Sequence, residues 1–100
     1  MTNKYGEIKK ISDLIRVSNM IRRDVSHAHT LSALSLLHKR QAYLVTLTHS
    51  PTFKSNFNGS VVNLRMTAKT QYSKTSKLIN KKVKSMGLDH KFDENWGTKG

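Results

Sequence analysis

The stretch SVVNLRMTAKTQYSKTSKLINKKVKSMGL, residues 60–88, decides the fold. Val61, Leu64, Ala68, Tyr72, Thr75, Ile79, Val83 and Met86 recur at steps of three and four. That spacing places them on one face of an α-helix as an apolar stripe. Ser60 is a good N-cap, because its hydroxyl can accept an otherwise unpaired N–H of the first turn. Gly87 follows the last apolar position and suits a left-handed C-terminal cap, with Leu88 placed for the hydrophobic contact of a Schellman motif. Lys81, Lys82 and Lys84 lie in the last turns, where the helix dipole favours cations.

The other side of this helix is basic. Arg65, Lys69, Lys77, Lys81 and Lys84 oppose the stripe, with Lys74 and Lys82 on its flanks. Thr67, Thr70, Gln71, Ser73, Ser76 and Asn80 interleave as short polar groups able to reach phosphate or sugar. From Val25 to Leu88 there is no Asp or Glu, while ten Lys or Arg fall in the same 64 positions. The six carboxylates are Glu7, Asp13 and Asp24 before it and Asp89, Asp93 and Glu94 after it. Helix surfaces ordinarily mix signs, since like charges at i, i+4 repel and opposite charges attract. One sign over so long a run, with a net charge of +12, points to a polyanionic partner. Lysine outnumbers arginine on the helix, and lysine grips phosphate as a point charge where arginine reads guanine. Backbone contact with weak sequence preference is the expectation.

Working outward, residues 1–11 read as a basic lead-in. Ser12 is the expected N-cap of a first helix, with Asp13 in its first turn and Ile11, Leu14, Ile15, Ile21 and Val25 on its apolar face. This helix should run to about His27. A break is expected at 27–30, with Thr30 as the next cap, although no Gly or Pro between Glu7 and Ser50 forbids one long kinked helix. Leu31, Leu34, Leu37, His38, Gln41, Leu44 and Val45 define a second helical face. Within it, Tyr43-Leu44-Val45-Thr46-Leu47-Thr48 is β-prone taken alone. Ser50-Pro51 restarts the chain, because Pro suits the first turn of a helix. Phe53 and Phe57 at i, i+4 then predict a short helix that Asn58-Gly59 stops. The fold expected is all-α: a small irregular helical bundle of three main helices plus one short helix. It is a single domain over 12–88, followed by a short acidic-aromatic tail over 89–100.

Composition narrows the chemistry. The hydrophobic share is 36% and there is no cysteine, which excludes disulfides and thiolate metal sites. His27, His38 and His49 recur every eleven residues and would share a helix face, but stand about 16 Å apart, too far for one metal. No carboxylate or thiol completes a zinc set around them. No nucleophile motif, carboxylate pair or phosphate-cradling glycine loop is present. The expectations are no metal, no cofactor and no enzyme activity. No run is apolar enough to span a membrane or form a signal core, which predicts a cytoplasmic protein.

The leading expectation is a small basic, non-enzymatic nucleic-acid-binding protein. Arg65, Lys69, Lys74, Lys77, Lys81 and Lys84 would supply the main phosphate contacts, helped by Arg22, Arg23, Lys39 and Arg40. The alternative is a small interaction or inhibitor protein, of the phage- or plasmid-type modulator kind. It would dock its basic face on an acidic region of a larger, nucleic-acid-processing protein and use Phe57, Phe92 and Trp96 as partner-binding anchors.

Overall fold

A computed structural model describes residues 8–51, 53, 57 and 59–96. Among the described residues, three long α-helices follow in order: α1 over Ile11–Ser26, α2 over Leu31–Thr48 and α3 over Val61–Ser85. The described residues contain no strand. α3 is the longest, and it packs against both of the others. The expected short helix after Ser50-Pro51 lies mostly outside the described residues. Pro51 and Phe53 are helical, the Phe53 N–H is 3.5 Å from the Ser50 hydroxyl, and the rings of Phe53 and Phe57 stack with centroids 5.7 Å apart.

Each helix end has a local cause. α1 starts two residues earlier than expected: the N-cap is Lys10, not Ser12. Asp13, three residues on, reaches back to accept from the Lys9 and Lys10 N–H groups at 3.0 and 3.2 Å. These bonds, the one from Lys9 foremost, hold the Asp13 carboxyl below its usual range, and the positive end of the helix adds to them. The break at 27–30 is present. Thr30 caps α2 by accepting from the Ala33 N–H at 3.1 Å. Ser60 does the same for α3 through the Asn63 N–H at 3.2 Å. At the far end of α3, Gly87 adopts φ +74°. Leu88 N–H donates to the Val83 carbonyl at 3.1 Å and Gly87 N–H to the Lys84 carbonyl at 3.0 Å. That pair of bonds is a Schellman motif. The β-prone segment 43–48 is helical. Leu44, Val45 and Thr48 continue the buried face begun by Leu34, Leu37 and Gln41, so burial outweighs local strand preference.

The core is formed by Leu14, Val17, Ile21 and Val25 from α1, Leu34, Leu37, Leu44 and Val45 from α2, and Leu64, Ala68, Tyr72, Ile79 and Val83 from α3. α1 is rotated from its expected setting: Ile15 is 36% exposed, while Val17 and Ser18 are buried. The rotation brings Ser18 to Gln41. The Gln41 amide Nε2 donates to Ser18 Oγ at 3.0 Å, and Thr75 Oγ1 donates to Gln41 Oε1 at 2.8 Å. All three side chains are fully buried. One glutamine thus ties the three helices together inside an otherwise apolar core.

Two stability outcomes follow. Ile79 is fully buried, so Ile79→Ala should lower unfolding free energy by about 2–4 kcal/mol in urea melts. Gln41→Leu should cost about 1–3 kcal/mol by taking the partner from the buried Ser18 hydroxyl and the acceptor from the Thr75 hydroxyl, which keeps the Arg22 guanidinium. The triple change Ser18→Ala, Gln41→Leu, Thr75→Val should recover most of that loss, since neither hydroxyl remains to be left unpaired and the Arg22 guanidinium, at the rim, turns to water in place of Thr75.

Candidate functional site

The basic residues predicted from the sequence divide into two groups. Lys69, Lys74, Lys77, Lys81 and Lys84 are exposed along α3. Four of them, Lys74, Lys77, Lys81 and Lys84, follow one another at steps of three, four and three. On a helix this is a single file, each ammonium one turn from the next, spanning about 15 Å at 1.5 Å per residue. Lys69 lies five residues earlier, off that line. Arg23 on α1 and Lys39 on α2 are also exposed, and Arg40 on α2 is half-buried.

The remaining cations are engaged within the fold. The Arg65 guanidinium donates through Nε to the carbonyl of Thr48, the last residue of α2, at 3.2 Å. Lys82 Nζ donates to the carbonyl of Ser26, the last residue of α1, at 3.3 Å. Both carbonyls stand at the negative end of a helix dipole. Arg22 donates from Nη1 to Thr75 Oγ1 at 3.2 Å and from Nη2 to Asn19 Oδ1. Burial lowers its proton affinity, though a guanidinium stays charged. Arg22 therefore extends the buried Ser18–Gln41–Thr75 chain out to the surface.

Three of the polar side chains expected between the cations also turn inward. Gln71 and Ser76 are buried. Asn80 grips the tail: its Nδ2 donates to the Phe92 carbonyl and to Glu94 Oε2, both at 2.9 Å, and its Oδ1 accepts from the Phe92 N–H at 2.7 Å. A second hold comes from α2, where His38 Nε2 lies 3.0 Å from the Asp93 carbonyl oxygen. The His38 ring sits between Tyr72 and Phe92, at 5.2 and 4.9 Å. Trp96 meets Tyr72 edge-on at 5.4 Å. Phe92 and Trp96 are thus half-buried on the chain's own core, as is Phe57. The tail runs antiparallel along α3, with Phe92 at Asn80 and Trp96 at Tyr72. Residues 91–94 are irregular, and the chain bends at Asn95 and turns at Trp96.

A solvent-facing apolar pair on α2, Leu36 and Tyr43, is not signalled by the apolar pattern; the two are 49% and 56% exposed. They share a face at i, i+7 and were hidden in a helix that is apolar nearly all round. No helix of the described residues is long and apolar enough to cross a membrane, and no group of three His, Asp or Glu among them could hold a metal ion. Searches against protein-family models, curated proteins and solved structures yield no match. The functional reading therefore rests on the side chains themselves.

Tyr72 supplies a pH signature for the packed tail. Burial, and then the charge of Asp93, push its phenol above 10.0. The unfolded chain gives up that proton first, so stability should fall as pH rises past the unfolded value. Thermal melts between roughly pH 9 and 11 should show this loss, and Tyr72→Phe should reduce it.

Proposed function

We propose that this chain is a small, non-enzymatic nucleic-acid-binding protein that neutralises backbone phosphates with Lys69, Lys74, Lys77, Lys81 and Lys84. Arg23, Lys39 and Arg40 act as secondary contacts. The observation that carries the reading is the single file of exposed lysines on α3, within 64 residues free of any carboxylate. Three successive like-charge pairs at i, i+3 and i, i+4 cost about 1 kcal/mol together. A line of anions offsets that repulsion, and phosphates lie about 3.4 Å apart along each strand of a duplex. Lysine contacts to phosphate carry no sequence information, so binding is expected to be general rather than sequence-reading.

The alternative, docking on an acidic protein surface, needs large side chains as central anchors. Phe57, Phe92 and Trp96 are half-buried against the chain's own core, which leaves them little area to offer. That favours the nucleic-acid reading.

With about five phosphates neutralised, log K should fall against log salt with a slope of about −4 to −5. Charge reversal at Lys77 and Lys81 should weaken binding by the same factor for unrelated sequences. Fluorescence anisotropy with labelled DNA and RNA measures both. Absence of binding to either at low salt overturns the proposal and transfers the basic face to an acidic protein.

A further inference from the structure

We infer that residues 89–96 are a built-in competitor for the polyanion, an acidic strap that must leave its seat before the lysine file is fully engaged. This rests on the nucleic-acid reading above and adds its regulation.

Three of the chain's six carboxylates fall within Asp89–Glu94. The Schellman turn at Gly87 reverses the chain direction, and the tail returns along α3 rather than away from it. Its carboxylates are thereby carried back toward the lysines. The Glu94 carboxylate is fixed on Asn80 at 2.9 Å. Asn80 is three residues after Lys77 and four before Lys84, so both lysines are its neighbours on the helix surface. Charges one turn apart lie within the screening length of about 8 Å at physiological salt. The strap therefore lowers the local potential where phosphates would approach.

The seat is built to hold a backbone and to release it. Asn80 takes both the N–H and the carbonyl of Phe92, a two-point grip that fixes the strap's register. His38 adds a hydrogen-bonding contact to the Asp93 carbonyl and a ring contact to Phe92 at 4.9 Å. Beyond these, the strap has no helix or strand pairing, and Phe92 and Trp96 are only half-buried. Segments with few buried contacts open at a small fraction of the global unfolding free energy. A polyanion presenting many phosphates can thus displace three carboxylates without unfolding α1–α3.

Trp96 is the chain's only tryptophan and sits on the strap against Tyr72, so it reports the displacement directly. Titrating the full-length chain with DNA or RNA at low salt should shift Trp96 emission to the red in step with anisotropy. Asn80→Ala changes no charge but removes the grip. It should red-shift Trp96 without nucleic acid and raise affinity by about fivefold, at the low end of measured site-to-site coupling. Asp89→Asn, Asp93→Asn and Glu94→Gln together should raise it by about tenfold. Binding by the parent chain with Trp96 unmoved and Asn80→Ala without effect overturns the strap and leaves the nucleic-acid reading standing. Binding by neither the parent nor the variants removes both.

Discussion

Gln41, on α2, is hydrogen-bonded to both of the other helices. Its amide receives a hydroxyl from α3 and gives a hydrogen to a hydroxyl of α1, all three groups fully buried. Apolar packing alone leaves a small three-helix bundle free to rotate its helices, because leucine, isoleucine and valine side chains tolerate one another in many registers. A buried amide does not. Any rotation that moves Ser18 or Thr75 away leaves a polar group orphaned in the core, at a cost of about 1–3 kcal/mol. This explains the setting of α1, where Ser18 is inside and Ile15 is turned toward solvent. Arg22 on the same helix then closes on Thr75 from the rim, so the polar chain runs from the centre of the bundle to its surface.

The missing carboxylates impose a second constraint. Between residues 25 and 88 a cation has no acidic residue in its own stretch to pair with. Arg65 and Lys82 instead donate to the final carbonyls of α2 and α1. Helix C-termini offer unpaired carbonyls and the negative end of the dipole, so they serve as neutral substitutes for Asp or Glu. α3 in this way caps both of the helices it packs against, and two cations that look free in the sequence are structural.

Most of the fold was legible. Periodicity, Ser60 and Gly87 located α3, including its Schellman end, and Thr30 located the start of α2. Ser12 has the capping hydroxyl that usually marks a helix start, whereas Asp13 performs the capping from inside α1. The face of α1 is not legible from the apolar pattern, because the buried Ser18 breaks it and the reason for its burial, Gln41, lies on another helix. The site was half legible. Exposed lysines at steps of three and four can be counted from the sequence. The roles of Arg22, Arg65, Lys82 and Asn80 cannot, since each is defined by a partner at least 12 residues away. Asn80 in particular resembles any polar residue of a basic helix until the tail is seen returning to it.

The single file of lysines is itself a product of packing. α3 is covered on one side by α1, on another by α2, and along its flank by the tail, so eight of its residues are buried and several more are half-covered. What remains open is about half of the helix surface, including Val62, Met66, Lys69 and Leu78. Within it Lys74, Lys77, Lys81 and Lys84 follow one another at three- and four-residue steps, which gathers part of the positive charge into a line. A line of point charges matches one strand of phosphates better than it matches an irregular protein surface, where charges of both signs are interspersed and large side chains carry the binding energy. The tail lies beside that line, held by Asn80, and brings its own carboxylates to the same side of the helix.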